Sequence, residues 1–255
     1  MEFVSLEVSE GVAVVRLGRP PANAIDLQMG LELQEAFREA RDRDDVGAIV
    51  LTGGRKLFAA GADIKEMATF GPQEIAPVVS ALGDALDLLD SMPKISIAAV
   101  NGYALGGGFE LALAADLRYL AADATIGQPE VNLGVIPGAG GTQRIADLAG
   151  VGVARDLVYS GRMVPAEEAH RLRLAERVLD PDGVLDVAVA DARRFATGPR
   201  KALAAAKAAI RAAVLTPGPD GLATEKALFI ALFGGAEQRE GMAAFLEKRS
   251  PDFGL

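Results

Sequence analysis

The run Ile95-Ser-Ile-Ala-Ala-Val100 is apolar and of strand length, and Asn101-Gly102 behind it is turn chemistry. Tyr103-Ala-Leu105 leads into three consecutive glycines, Gly106, Gly107 and Gly108, then Phe109, Glu110 and an Ala/Leu-rich segment of helical composition. A strand must therefore turn through glycine into a helix. The first N–H groups of a helix have no partner inside it, and the helix dipole adds partial positive charge there. Glycines let a ligand approach those amides closely, which suits an oxygen that becomes negative during a reaction. Glu110 falls on the first turn of the same helix, an acid–base group beside an anion hole. Taken alone, such a turn serves equally well for close helix–strand packing with a solvated glutamate.

Composition narrows the chemistry. The chain has 255 residues, half of them hydrophobic, enough for a large core in one domain or one domain with an appendage. No apolar run approaches the ~18 residues of a membrane span, and the N-terminus lacks a basic-then-apolar leader, so a cytoplasmic protein is expected. Absence of cysteine removes thiolate nucleophiles and thiolate metal sites, and the single histidine makes a histidine metal cluster untenable. That histidine, His170, lies in the polar segment Pro165-Ala-Glu-Glu-Ala-His170-Arg and reads as a surface residue, with no Ser-His-Asp spacing around it. Proton chemistry falls to carboxylates, Lys or Tyr. A net charge of −9 disfavours nucleic acid, whose non-specific affinity comes from neutralised phosphates.

In chain order, Val4, Leu6 and Val8 alternate with polar residues, Glu10-Gly11 turns, and Val12 to Leu17 returns as a hairpin. Asp26 caps a helix whose Leu33, Ala36, Phe37 and Ala40 share a face, and Gly47 to Leu51 reads as a buried strand. Small residues at 59–62 would let a ligand lie on the main chain, and Asp63 caps a short helix. A longer helix follows from about Gln73 to Met92, then the glycine turn. Asp116–Ala121 and Ala124–Gln128 are the next strands, and the beat of two strands and a helix repeats. The loop from Pro129 to Thr142 is shaped rather than disordered, with Val131, Leu133, Val135 and Ile136 expected to be buried. From about Asp182 the chain is helical; Leu222 to Phe233 is apolar around much of its circumference, so a second subunit is expected to cover it. Arg200, Lys207 and Arg211 flank an apolar stripe and are open to phosphate, a partner or solvent, of which solvent is the reading taken.

Three segments now stand together: Phe58-Ala-Ala-Gly-Ala-Asp-Ile-Lys-Glu-Met67, Asn101-Gly-Tyr-Ala-Leu-Gly-Gly-Gly-Phe-Glu-Leu111, and Gly127-Gln-Pro-Glu-Val-Asn-Leu-Gly-Val-Ile-Pro-Gly-Ala-Gly-Gly-Thr-Gln-Arg144. In order and spacing they resemble the crotonase family, most closely its enoyl-CoA hydratases. The likeness runs to the end, where Glu240 to Arg249 and Pro251 look like the family's terminal helix. It implies an α/β fold: a crotonase-like spiral of repeated ββα units over residues 1–195, followed by a C-terminal α-helical trimerisation region over 196–255. It also implies homotrimers, often paired as hexamers, acting on acyl-CoA thioesters without a separate cofactor, coenzyme A being part of the substrate.

Site residues follow from matched positions. The implied oxyanion donors are the N–H groups of Ala62 and Gly107. Donors of this kind are worth ~3 to 4 kcal/mol each to a developing oxyanion. Glu110 and Glu130 match the hydratase carboxylates that contact the added water; Glu130 is assigned as the protonated donor to the α carbon and Glu110 as the ionised acceptor, with exchanged or shared roles equally compatible with the sequence. Gly138 matches a water-positioning N–H, and Gln128 is near enough to support Glu130. Ala60, Asp63, Ile64 and Lys65 match the coenzyme A site, and Phe229 and Lys248 match positions reaching it from a neighbouring subunit. There the chain departs from the family pattern, with Gly234-Gly-Ala-Glu237 where Thr and Asp are common. Met67 and the loop to Gly71 are expected to border the acyl tail. A sibling reaction, the shift of a double bond from position 3 to 2, needs only one carboxylate base, and a binding protein on the same fold, including one that touches RNA, is the non-enzymatic alternative.

Overall fold

Glu10 (φ 51°) and Gly11 (φ 79°) both take left-handed backbone, the geometry a two-residue hairpin turn needs, and fold β1 (Val4–Ser9) antiparallel onto β2 (Val12–Leu17). The computed structural model describes residues 1–254. Asp26 Oδ1 accepts from the Met29 N–H at 2.8 Å and starts α1 (Leu27–Asp42), which buries the expected face, Leu33, Ala36, Phe37 and Ala40. Full burial of Leu33 or Phe37 is worth ~1.5 to 3 kcal/mol each. Glu32, on the same helix, accepts from the Phe3 and Val4 N–H groups and ties down β1.

β3 (Ala48–Thr52) is buried along its whole length, as a strand covered on both faces must be. After it come the short α2 (Ile64–Met67) and α3 (Pro72–Ser91), the latter packed along α1. β4 (Ile95–Val100), β5 (Tyr103–Leu105) and α4 (Gly107–Ala114) form the glycine turn. β6 (Leu117–Ala121) and β7 (Thr125–Gly127) lead to a 3-10 turn (Pro129–Leu133), then α5 (Gly141–Ala149), α6 (Val151–Ser160), β8 (Met163–Pro165), α7 (Ala166–Arg171), β9 (Arg177–Leu179) and α8 (Val184–Ala196).

The strands form two layers. A six-stranded sheet runs β1-β2-β3-β4-β6-β9, parallel except for β1, and a three-stranded sheet runs β5-β7-β8. Each pass of the spiral adds a strand to the large sheet and sends a second segment to the small layer. In the second pass that segment shrinks to a single bridging residue, Ala59 paired with Ala104, so the repeat is looser than the sequence pattern suggests. α8 crosses the large sheet on buried Ala188, Ala192 and Ala196. The approach is close: a methyl group on Gly47 would lie 2.6 Å from Ala196 Cα.

Beyond it stand α9 (Arg200–Leu215), α10 (Pro219–Leu232) and α11 (Ala236–Glu247). Arg200, Lys207 and Arg211 are not a solvated face, as the sequence reading had them. Lys207 is buried and donates to Asp116 Oδ2 at 2.8 Å and to the carbonyls of Leu89 and Lys94. Arg211 pairs with Asp90 at 2.9 Å, and Arg200 donates to the carbonyl of Asp44. Lys207 and Arg211 span from α9 to the end of α3, where unpaired helix carbonyls attract cations, while Arg200 reaches the loop after α1. α10 packs on α9 and leaves Leu222, Phe229, Ile230 and Phe233 more than half exposed, the uncovered apolar helix the sequence anticipates.

Burial fails in the loop after β7. Leu133, Val135 and Ile136 are exposed, Ile136 at 69%, and Val131 is half-buried. Polar bonds, not apolar burial, shape this segment: Val135 N–H donates to the Glu130 carbonyl, and two further amides of the loop are held by Glu110.

Candidate active site

The turn from β5 into α4 is built so that only glycine fits. Gly106 caps the helix at φ 51° and ψ −128°, and a methyl group on it would meet Glu130 Oε1 at 2.9 Å. A methyl group on Gly108 would lie 2.3 Å from the Ala59 carbonyl oxygen, so the helix start sits directly on the 59–62 segment. Among the described residues, the N–H groups of Gly107 and Ala62 donate to no other group of the chain. Gly61 borders Gly106 from the Ala62 side, and Leu82 of α3 lies beside Gly107.

Glu110 is 3% exposed and reaches from α4 to the N-terminus of α5, where its Oε1 accepts from the N–H groups of Ala139 and Gly141, both at 2.8 Å. Burial pushes its carboxyl above the ordinary value, opposed by those two amides and by the Arg144 guanidinium. Glu130 opens the 3-10 turn and has fewer groups favouring its charge. Burial, reinforced by the negative charge of Glu110, pushes it up to about 7 against a single backbone hydrogen bond. Gln128 is fully buried; in the orientation that satisfies both ends of its amide it donates to Glu130 Oε1 at 2.8 Å and Oε2 at 3.0 Å. Two acidic groups therefore face one glycine turn with unlike tendencies to ionise.

The other expected residues fall into two sets. Ala60, Ile64 and Lys65 are exposed on or beside α2, directly after the Ala62 amide, and Met67 is half-buried at its end. Asp63 has a structural task there: it caps α2 at the Glu66 N–H and pairs with Arg19 at 3.0 Å, a partner the sequence reading did not identify. Gly138 is exposed, and a methyl group on it would touch Val79 of α3 at 3.5 Å. Val79 and Leu82 thus line the space beyond the carboxyl pair, helical neighbours that the sequence left unplaced. His170 is exposed on α7, as expected, with Nδ1 2.9 Å from the Ala175 carbonyl oxygen. No group of three or more His, Cys, Asp or Glu among the described residues is arranged to hold a metal ion.

A family profile described as "Enoyl-CoA hydratase/isomerase" matches residues 7–254. This chain belongs to that family. A probable enoyl-CoA hydratase of Mycobacterium leprae, echA8, is 45% identical over 245 residues, covering 95% of this chain and 94% of its own. Among solved structures, an enoyl-CoA hydratase from Bacillus anthracis superposes with TM-score 0.93 at 36% identity, covering 98% of each chain. Pseudomonas aeruginosa DspI superposes with TM-score 0.95 at 34% identity, covering 100% of this chain and 97% of its own. The spiral fold expected from the three motifs is the fold of these relatives.

Two positions of this enoyl-CoA hydratase/isomerase family member stand apart from the site within one chain. Phe229 lies on α10, exposed, its ring 5.1 Å from that of Phe233 and tilted 59° to it, and Lys248 follows α11 in left-handed backbone. The loop residues that grip Glu110, Ala139 and Gly141, escaped the sequence reading, although the Gly-Ala-Gly-Gly run that holds them was part of the motif.

Proposed function

We propose that the protein is an enoyl-CoA hydratase, adding water in a syn sense across a trans-2-enoyl-CoA to give a 3-hydroxyacyl-CoA, in fatty-acid β-oxidation or related acyl-CoA breakdown. The observation that carries this reading is the convergence of Glu110 and Glu130 on the Gly106-Gly107 turn, one beside Gly107 and gripped by two amides at a helix N-terminus, the other beside Gly106 and pushed up to about 7. Family membership and the names of its relatives agree with it.

The thioester oxygen would accept from the unpaired Ala62 and Gly107 N–H groups, and the dipole of α4 adds to their field. A water held between the two carboxyl groups and the Gly138 N–H attacks C3. Ionised Glu110 takes one proton from it as the C3–O bond forms, and charge moves through the conjugated system onto the thioester oxygen. Protonated Glu130 then gives its proton to C2, closing the enolate, and proton exchange through solvent resets the pair. No step calls on a redox group. Lys65 would meet the nucleotide end of coenzyme A beside Ala60 and Ile64, a reading supported by the exposure of all three.

A double-bond shift needs one base, whereas this site holds two carboxyl groups in unlike states, which favours hydration. Supplying the purified protein with trans-2- and 3-enoyl thioesters in turn separates the two: 3-hydroxyacyl product from the 2-enoyl substrate supports hydration, and conversion of the 3-enoyl substrate alone supports the shift.

Self-association as a trimer or hexamer is part of the proposal. The exposed apolar face of α10 supports it, and in such an assembly Phe229 and Lys248 would approach a neighbour's nucleotide site. Among the described residues no helix is long and apolar enough to cross a membrane; residence in the cytoplasm belongs to the same proposal.

A further inference from the structure

We propose that Arg144 is a positioning residue for the hydration, holding the 139–141 turn so that its two amides grip Glu110 in the ionised form. The inference rests on the hydratase reading and assigns the unlike states of the two carboxyl groups to a specific neighbour. Arg144 Nη1 donates to the Ala139 carbonyl at 2.9 Å, and Nη2 pairs with Asp87 of α3 at 3.2 Å. The peptide it holds by the oxygen belongs to the same residue whose N–H donates to Glu110. Gly140, at φ 104°, lets the chain reverse between Ala139 and Gly141, so both N–H groups face one oxygen. Glycine leaves this turn without side-chain packing of its own; the guanidinium supplies the restraint from outside. A methyl group on Gly140 would collide with Arg144 Nη1 at 2.1 Å, so the guanidinium meets the turn end-on through that nitrogen.

The charged surroundings of Glu110 are few. Glu130 faces it from the 3-10 turn, and Arg144 from α5 with Asp87 of α3 behind the guanidinium. β5 offers only Tyr103, which is exposed, and α4 carries no other titratable side chain. Arg144 is therefore the cation set against the burial of Glu110. Its side chain is 16% exposed and also lines a cavity of about 650 Å³ between α5 and α9, so a shorter or neutral replacement leaves room for water instead of a clash. Arginine suits the task better than lysine because its planar fork can hold a carbonyl and a carboxylate at once.

The test compares wild type with Arg144→Gln and Arg144→Lys by two readouts. The first is the carboxyl-carbon NMR titration of Glu110, assigned by the signal missing in Glu110→Gln; the second is the pH profile of kcat/KM with crotonyl-CoA. Arg144→Gln is expected to move the Glu110 midpoint and the acid limb upward together and to lower kcat about 10- to 100-fold with little change in KM, while Arg144→Lys restores part of both. A fall in Tm with neither midpoint nor limb displaced in either variant would overturn the proposal. Because the NMR midpoint needs no turnover, an inactive wild type with a displaced midpoint in Arg144→Gln sinks the hydratase reading and leaves the grip on Glu110 standing.

Discussion

The Glu110 carboxylate accepts from the Gly141 N–H at 2.8 Å, and Gly141 is the first residue of α5. A buried acid thus rests on the positive end of one helix while it is carried on the first turn of another, α4. Glu130 rests on no helix N-terminus, only on the Gln128 amide, and burial beside Glu110 pushes it up to about 7. Under the proposed hydration this difference divides the labour: the anchored carboxyl is the one assigned to take a proton from water, and the other to deliver its proton to C2.

pH dependence carries this division directly. With the proposed roles, Glu110 ionised and Glu130 protonated, kcat/KM is expected to rise with pH through the Glu110 transition, which lies above an ordinary glutamate, and to fall as pH passes about 7 and Glu130 loses its proton. The two apparent midpoints belong to the pair. A profile measured from pH 4 to 10 checks it; a plateau through pH 9 contradicts the assignment of Glu130 as the acid.

Stability should fall in the same direction at Glu130. Its folded-state value near 7 exceeds the unfolded value near 4.5, so the native protein binds the proton more tightly and loses stability as pH rises between the two. Glu130→Gln removes that loss. Thermal melts at pH 5 and pH 8 are expected to show the variant gaining Tm over wild type at pH 8 and not at pH 5.

Glycine substitutions separate turn from filler. Gly106→Ala places a methyl group 2.9 Å from Glu130 Oε1 at a φ of 51°, and should lower kcat about 100-fold while destabilising the fold by about 1 to 3 kcal/mol. Gly83, inside α3, has nothing within 4 Å of the same added atom. Gly83→Ala is expected to stabilise by about 0.5 to 1 kcal/mol with activity intact, as read by urea denaturation.

Lys207→Ala tests the seat of the C-terminal helices. It strands Asp116, whose Oδ2 also accepts from the Ser96 N–H and hydroxyl, and leaves the Leu89 and Lys94 carbonyls without their ammonium. Breaking such a pair costs about 3 to 5 kcal/mol. A midpoint in urea equal to that of wild type would show that α9 is seated by apolar contacts alone.

What the sequence made legible was local. The caps Asp26 and Asp63, the hairpin at Glu10-Gly11 and the glycine turn all depend on a few adjacent residues, and each stands as expected. Gln128 was placed beside Glu130 by proximity alone, and the amide contact bears it out. Long-range pairings were not legible. A lysine between alanines on α9 carries no sign that Asp116, ninety-one residues earlier, waits for it. The apolar residues at 133, 135 and 136 looked like core because hydropathy cannot tell a buried anchor from an exposed one held in place by neighbouring polar bonds. Recognition of the motifs led to Glu110 and Glu130, but only the fold shows that the Ala139 and Gly141 amides make them unequal.

The most direct measurement of the central claim is the rate at which purified protein removes the conjugated enoyl absorbance of crotonyl-CoA, for wild type, Glu110→Gln and Glu130→Gln. Loss of the absorbance with formation of 3-hydroxybutyryl-CoA is predicted for wild type, with kcat lowered about 100- to 10,000-fold in each variant. Undiminished turnover in both variants would contradict the account.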